Sequence, residues 1–525
     1  MGRNCARATA RPLDRFSAIM MTENLRSPII SMNRTATASY CITFEVKVNP
    51  SNLPEIDRRM ECARQIYNTC LGQCQKRWRL IRSIPDWRAA LKELPALNRK
   101  PELSPDEKFR QKSLRQQLKT IEQNEGFSEY ALHAYALTVN RHFGSLLGVN
   151  EMQKAATFAW RTFERYRFGN AEKVRFKRRD DPILIENKSN VTGLRLKDDK
   201  VLWGSKHART LEFPIIVRRN DKYAQQTFLD KTKFIRFFER TIRGKRRFFV
   251  QAVKEGTPPP KHRQYGDGKP AVGIDLSPST LVAYSPEAAV IEELASDCES
   301  IEAAIRRINR AIDRSYRATN PEAYNENGTF KKGCRLVPSK RCQELMAERK
   351  ELFRKQAAVR KQSHEKVANK LIAQSTDIKV EDTVVSSWTA RAKETSVNRK
   401  NGKNRSKKRF GKTVARRAPA MLLAIIDRKL KYRGYALKRV VSRKVKASQF
   451  DHSTGQYRKK RLCDRWCVID GHRVQRDLYS AFLTGHVTGK NLDTIDRKAC
   501  CDDWMNFLKL QDEVLKTCDK NLGIF

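Results

Sequence analysis

Acidic side chains are scarce in this sequence relative to basic ones. Its 525 residues hold 58 Asp and Glu against 107 Lys and Arg, a formal net charge of +49. Solubility alone needs far less, so the imbalance points to a polyanion whose phosphates neutralise the self-repulsion. Long apolar runs are missing too: none reaches the roughly 18 residues that cross a bilayer, which argues against a membrane partner. The 13 cysteines lack the rhythm of a secreted disulfide scaffold, which indicates a reducing compartment. The first 38 residues carry Arg3, Arg7, Arg11 and Arg15, few acids and no amphipathic period. They read as a disordered arm rather than a transit peptide, with Met20, Met21 and Met32 as alternative starts.

What is present divides at a proline run. Residues 40–48 alternate as a strand, and Pro54 opens a helix with Ile56, Met60, Ala63, Tyr67, Cys70 and Cys74 on one face. Cys70 and Cys74 have a metal-compatible spacing, but no His or acid joins them, which favours core packing. Residues 80–168 read as mostly helical and end in a basic stretch, GNAEKVRFKRR. Composition then turns to β: hairpins are predicted over 191–203, with Asp198 and Asp199 near the turn, and over 234–253, turning near Gly244. Residues 256–270, with Pro258, Pro259 and Pro260, form the predicted linker.

Beyond it, AVGIDLSPSTLVAYS (271–285) predicts a hairpin with Asp275 inside an apolar strand. A carboxylate there costs several kcal/mol unless it is paired or bound to a cation, roughly the penalty of any buried charge. A third strand is predicted at 291–294, then a helix with Ser296 and Glu299 as a capping box and a buried stripe of Ile301, Ile305, Ile308 and Ile312 that leaves Arg310 and Arg314 on other faces. A long helix over 339–373 packs back on it. Glu381 follows in a second apolar strand, and Asp477 stands in the first turn of an apolar helix. Between them, 391–417 is nearly all basic, polar or Gly and either stays a solvated loop or orders on nucleic acid. A helix over 418–430 and a strand over 435–441 follow it. Three carboxylates on strand, strand and helix start suit two-metal phosphodiester chemistry, in which shared acids hold two Mg²⁺ ions about 4 Å apart.

GIDLSPST, the VED of 380–382 and QRDLYSAFL resemble the three split RuvC motifs of the transposon-encoded TnpB nucleases and of their descendants, the type V CRISPR effectors. RSYRATNPEAYNENGTFKKG, RRAPAMLLAIIDRKL and KASQFDHSTG match further. Tyr67, Asn68 and residues 160–177 resemble that family's amino-terminal lobe. The resemblance implies an α/β multidomain chain: a disordered arm (1–38), an oligonucleotide-binding β-barrel wedge (39–255) with a helical recognition insertion (about 54–168), a linker (256–270), a ribonuclease-H-like (RuvC) nuclease domain (271–486) and a helical tail (487–525). It implies a cytoplasmic, prokaryotic, RNA-guided DNA endonuclease. Its partners would be guide RNA and target DNA, as heteroduplex and flanking duplex. Asp275, Glu381 and Asp477 would be catalytic and would bind Mg²⁺, with Mn²⁺ as an alternative. Nucleic acid would be met by Arg175, Lys177, Arg178, Arg310, Arg314, Arg405, Lys407, Lys408 and Arg409.

The chain departs from the family in two places. The zinc-knuckle positions fall on Gln449, His452, Cys467 and Asp470, with Cys463 a substitute, too few N or S ligands for a tetrahedral structural Zn²⁺. In the third motif, Gln475 and Tyr479 replace the usual Asp and Asn. A guide-dependent repressor that does not cut, and an unguided transposase or resolvase, are the alternative readings. The three acids favour cutting, and the large basic first half favours a guide.

Overall fold

Alternation along β1 (Ser39–Val46) buries Tyr40, Phe44 and Val46 and leaves Ser39, Cys41 and Thr43 exposed, the pattern of a strand with one covered face. The computed structural model describes residues 37–259, 264–398, 402, 404, 410–459, 461 and 464–518. The chain divides into two compact units, one ending at Pro259 and the other beginning at Pro260.

In the first unit, five helices follow β1: α1 (Leu53–Ser83), α2 (Pro85–Asn98), α3 (Pro105–Asn124), α4 (Glu129–His142) and α5 (Val149–Arg167). The apolar stripe of α1 is buried as its period demands, and burial pushes the Cys70 and Cys74 thiols up to about 12. These cysteines are core residues. The chain then builds β2 (Leu184–Glu186), β3 (Leu194–Lys197), β4 (Lys200–Ser205), β5 (Ala208–Ile216), helix α6 (Lys222–Leu229), β6 (Thr232–Ile242) and β7 (Lys245–Glu255). With β1 they form a seven-stranded antiparallel sheet in the order β2-β6-β7-β1-β5-β4-β3. Among the described residues no backbone ladder joins the two edges. The amide of Asn187, just past β2, bridges them by donating to Leu194 O at 2.8 Å. Helices and sheet are tied by buried Glu151 near the start of α5, which accepts from Leu194 N at 2.6 Å and Trp203 Nε1 at 3.2 Å.

The second unit is a layered α/β body. Strands β8 (Val272–Leu276), β9 (Thr280–Ser285) and β10 (Ala288–Glu293) form an antiparallel meander, and helices α7 (Glu299–Thr319) and α8 (Lys340–Gln374) carry the chain to β11 (Ile378–Glu381). Short α9 (Gly411–Arg417) and α10 (Pro419–Lys431) precede β12 (Lys438–Val440); β11 pairs in parallel with both β8 and β12, giving the order β10-β9-β8-β11-β12. The turn α11 (Ser442–Val445), hairpin β13 (Trp466–Ile469)–β14 (His472–Gln475), α12 (Arg476–Gly485), hairpin β15 (Val487–Thr488)–β16 (Thr494–Ile495), α13 (Arg497–Asp502) and α14 (Trp504–Thr517) complete it.

One sheet face, with Val272, Ile274, Ile378 and Val380, packs on α8 and α10; Val282 and Tyr284 on the opposite face pack with α12 and α14. The stripe of α7 packs on α8 through Ile308, Ile312, Cys342 and Leu345. Two local expectations change. Ser296 does not cap a helix: Ala295 takes a left-handed φ of 52°, Ser296–Cys298 form a 3₁₀ turn, and the N-cap is Cys298, which makes no side-chain cap bond. The strand predicted over 435–441 shortens to Lys438–Val440 because the backbone still turns through Gly434 at φ 82°. Among the described residues no helix is long and apolar enough to cross a membrane.

Candidate active site

The register of β8 against β11 decides what the acids face. Val272 pairs with Ile378, Gly273 with Lys379 and Ile274 with Val380. Strand alternation then puts Gly273, Asp275, Lys379 and Glu381 on one face, and the two acids reach the carboxyl ends of adjacent parallel strands, the usual crevice of such sheets. Helix α12, with Asp477 in its first turn, packs on that same face. Residues some 200 apart in sequence thereby meet.

Asp275 is pushed up to about 8, first by burial, then by the charges of Asp477 and Glu381; Arg476 and the Ser480 hydroxyl offset this in part. Burial and neighbouring Asp382 also raise Glu381, while Thr383 counters with a hydrogen bond. Arg476 Nη2 lies 3.1 Å from Asp477 Oδ1 and Arg465 Nη1 3.6 Å from its Oδ2. Among the described residues no three His, Cys, Asp or Glu side chains converge tightly enough to cage a metal; in this conformation Asp477 is turned to its arginines.

Three contacts hold α12 in place. Gln475 caps it, its Oε1 accepting from Leu478 N at 2.6 Å, while its own N–H donates to Gln511. Lys379, buried on β11, donates to Gly485 O and Val487 O at 2.8 Å each and so closes the helix's carboxyl end. Gly273 lets the helix approach: a Cβ there would overlap the backbone of Ala481 and Gly485. Lys379→Met keeps the stem but leaves two buried carbonyls without a donor, so it is expected to cost about 2 kcal/mol, measured as a shift in urea midpoint. An unchanged midpoint would mean that water replaces the ammonium.

Against solved structures, the chain matches one of a Cas12f1–sgRNA–target DNA complex with a TM-score of 0.50, at 10% identity, over 87% of this chain and 99% of that one. The chain shares the fold of that Cas12f1 protein. Two further matches, a CRISPR–Cas12f ternary complex (TM-score 0.26, 13% identity, 83% of this chain and 82% of that one) and the mini-RNA-guided endonuclease Cas_phi3 (0.29, 12%, 55% and 56%), add no weight to that fold. No protein-family model and no curated protein matches the chain.

The basic residues divide. Arg175, Arg178, Arg310 and Arg314 are exposed. Lys177 is turned inward: its Nζ donates to Pro182 O at 2.8 Å and lies 5.5 Å from the Tyr67 ring, while the Asn68 side chain pins its backbone through two bonds of 2.8 and 2.9 Å. Tyr67 and Asn68 thereby hold the basic segment on α1. Arg405, Lys407, Lys408, Arg409 and Cys463 lie outside the described residues.

In the knuckle region, His452 is buried beside Trp504, with ring centroids 4.6 Å apart, and its Nδ1 bonds the Tyr479 hydroxyl at 2.9 Å. Burial lowers its pKa and keeps the ring neutral. Tyr479, two residues and about 200° around the helix from Asp477, therefore serves the aromatic core rather than the acids. Sequence reading missed Gly273, Lys379, Ser480 and the two arginines on Asp477. Only Gly273 and Lys379 had a local signal, each standing two residues before an acid on its strand.

Proposed function

We propose that the chain is an RNA-guided DNA endonuclease whose ribonuclease-H-like (RuvC) domain, built on the β8–β12 sheet, cuts DNA with Asp275, Glu381 and Asp477. The observation that carries this reading is the delivery of three carboxylates to one sheet face by β8, β11 and α12, on a fold shared with Cas12f1. The first unit, an antiparallel sheet with five helices inserted after β1, then serves as the wedge and recognition lobe for guide RNA and heteroduplex. Protein contacts to a short flanking motif and base pairing by the guide would share the recognition. The setting is the prokaryotic cytoplasm.

The donor set fits a divalent cation. Carboxylate oxygens suit Mg²⁺, with Mn²⁺ acceptable, and an Asp275 carboxyl that stays protonated for want of counter-charge is what such a cation would correct. Asp275, Glu381 and Asp477 would hold it, once Arg476 and Arg465 release Asp477. Bound ions would polarise the scissile phosphate and lower the pKa of the attacking water. The remaining work belongs to the chain itself. Ser480 orients Asp275, Gln475 and Lys379 hold the helix that carries Asp477, and the freed arginines remain beside the site as phosphate donors.

Purification with co-expressed RNA, sequencing of that RNA and assay of matching duplex DNA with Mg²⁺ test the proposal. A discrete RNA species and metal-dependent cutting are expected. Heterogeneous RNA would remove the guided reading, and a discrete RNA with target binding but no cutting would favour the repressor. Affinity for the target should fall linearly in log–log plots against salt, by about 10³-fold or more between 50 and 200 mM; a flat dependence would show that the excess charge does not meet phosphate.

A further inference from the structure

Helix α14 lies in the segment read as a carboxy-terminal tail, and an amide interrupts its apolar stripe. Trp504, Phe507 and Gln511 stand at the spacing of one helix face, and all three are buried. The two rings pack against Phe482 of α12, with centroids 6.0 and 4.7 Å away. Gln511 is only 2% exposed, yet both ends of its amide are used. Its Oε1 accepts from Gln475 N at 2.9 Å, and its Nε2 donates to Arg473 O at 3.2 Å. One side chain thus pairs with two backbone groups along β14, as a residue of an adjoining strand would. The strand that it grips ends at Gln475, which is itself fully buried and is the N-cap of α12. From there Gln475 Oε1 accepts from Leu478 N at 2.6 Å, and its Nε2 reaches Asp477 Oδ2 at 3.5 Å.

We propose that Gln511 is a positioning residue for DNA cutting: acting through Gln475, it fixes the first turn of α12 and so the place of Asp477. The assignment rests on the nuclease reading above, and it makes α14 a working part of that site. Three observations favour positioning over packing. An amide in an apolar stripe must recover its desolvation through hydrogen bonds, which a leucine there need not do. The groups that it binds belong to Arg473 and Gln475, so any displacement passes to Asp477 through a very short length of chain. The cap that it steadies is also the residue whose own amide contacts Asp477. Gln511 itself touches neither metal ligand nor substrate. Groups that orient metal-binding side chains in this way are typically worth about 10- to 100-fold in metal affinity or activity.

The test uses the full chain with its co-purified RNA. Gln511→Met keeps the stem but removes the partner of Gln475 N–H and Arg473 O. Single-turnover cleavage at saturating matched DNA is expected to fall at least tenfold, and the Mg²⁺ concentration for half-maximal cutting to rise by about the same factor. Target Kd should stay within about twofold, because binding belongs to the guide. Gln511→Glu, whose carboxyl is kept protonated by burial and so still accepts and donates, should hold cleavage within about threefold of wild type. In metal-free protein, amide hydrogen exchange over residues 473–480 should quicken in Gln511→Met and return towards wild type in Gln511→Glu. Equal cleavage by wild type and Gln511→Met at limiting Mg²⁺, unchanged exchange, or a Gln511→Glu protein no better than Gln511→Met would overturn the proposal. So would a loss of cleavage matched by an equal loss of target affinity, since that marks a role in folding alone. If Gln511→Met melts early, the comparison rests on Gln511→Asn, whose amide is one methylene short; wild-type cleavage and Mg²⁺ dependence in that protein would overturn it as well. Failure of the nuclease reading looks different, because wild type itself would then leave matched DNA intact while the exchange difference persists.

Discussion

Asp275→Asn is expected to lower DNA cleavage about 1000-fold and, in metal-free protein, to raise stability at pH 8. The first effect follows because loss of a shared metal-binding carboxylate removes several kcal/mol of transition-state stabilisation, or about three orders of magnitude in rate. The second has the opposite sign. Asp275 is raised from 3.8 to about 8 in the fold, so between these values the folded chain keeps a proton that the unfolded chain has released. Its contribution is therefore fully present below pH ~4 and is lost as pH rises towards 8. Asn carries no such proton and loses nothing. The difference should grow from near zero at pH 4 to several kcal/mol at pH 8. Melting curves in EDTA at both values read it directly. Coincident curves at pH 8 would show that the fold does not hold Asp275 protonated there. Target binding through the guide should survive, which separates lost chemistry from lost folding.

Gly273→Ala is expected to destabilise the second unit by about 3 kcal/mol, the upper part of the usual range for overpacking, and to lower cleavage by a further route. The added methyl meets the carbonyl of Ala481 and the backbone of Gly485, which cannot rotate away as a side chain would. Helix α12 must lift off the sheet. The approach is tight from the other side as well, since a Cβ built on Gly485 would lie 3.3 Å from Gly273 N. Lifting carries Asp477 away from Asp275, and a misplacement of about 1 Å in a catalytic group can cost about 100-fold. Thermal melting and single-turnover cleavage measured together test this. Normal activity in a stably folded Gly273→Ala protein would mean that the close contact is not what sets the distance between the acids.

The elements that bear the acids were legible because each obeys a local rule. The alternation of 271–285 predicted β8 and β9, and Asp275 was conspicuous as a charge inside an apolar strand. Asp477 announced itself through the apolar run that begins one residue later. Ser296 misled because a capping box is written in residue types, while the backbone at Ala295 had already turned left-handed. Tyr479 and His452 likewise showed only the loss of a familiar pattern; their hydrogen bond and the ring of Trp504 behind them come from segments about 25 residues to either side.

By itself the sequence determined the charge that demands a polyanion, the alternating and helical periods, and the identity of three carboxylates too costly to bury alone. Those are properties of a residue and its near neighbours. Only the tertiary structure decided that the register of β8 on β11 aligns Gly273 with Lys379, that α12 is drawn down by the missing Cβ and fastened by the ammonium, and that Arg476 and Arg465 hold Asp477. The register, the close approach and the ammonium contact join residues roughly 100 to 200 positions apart, and their energies arise from distance and desolvation, which exist only once the chain has packed.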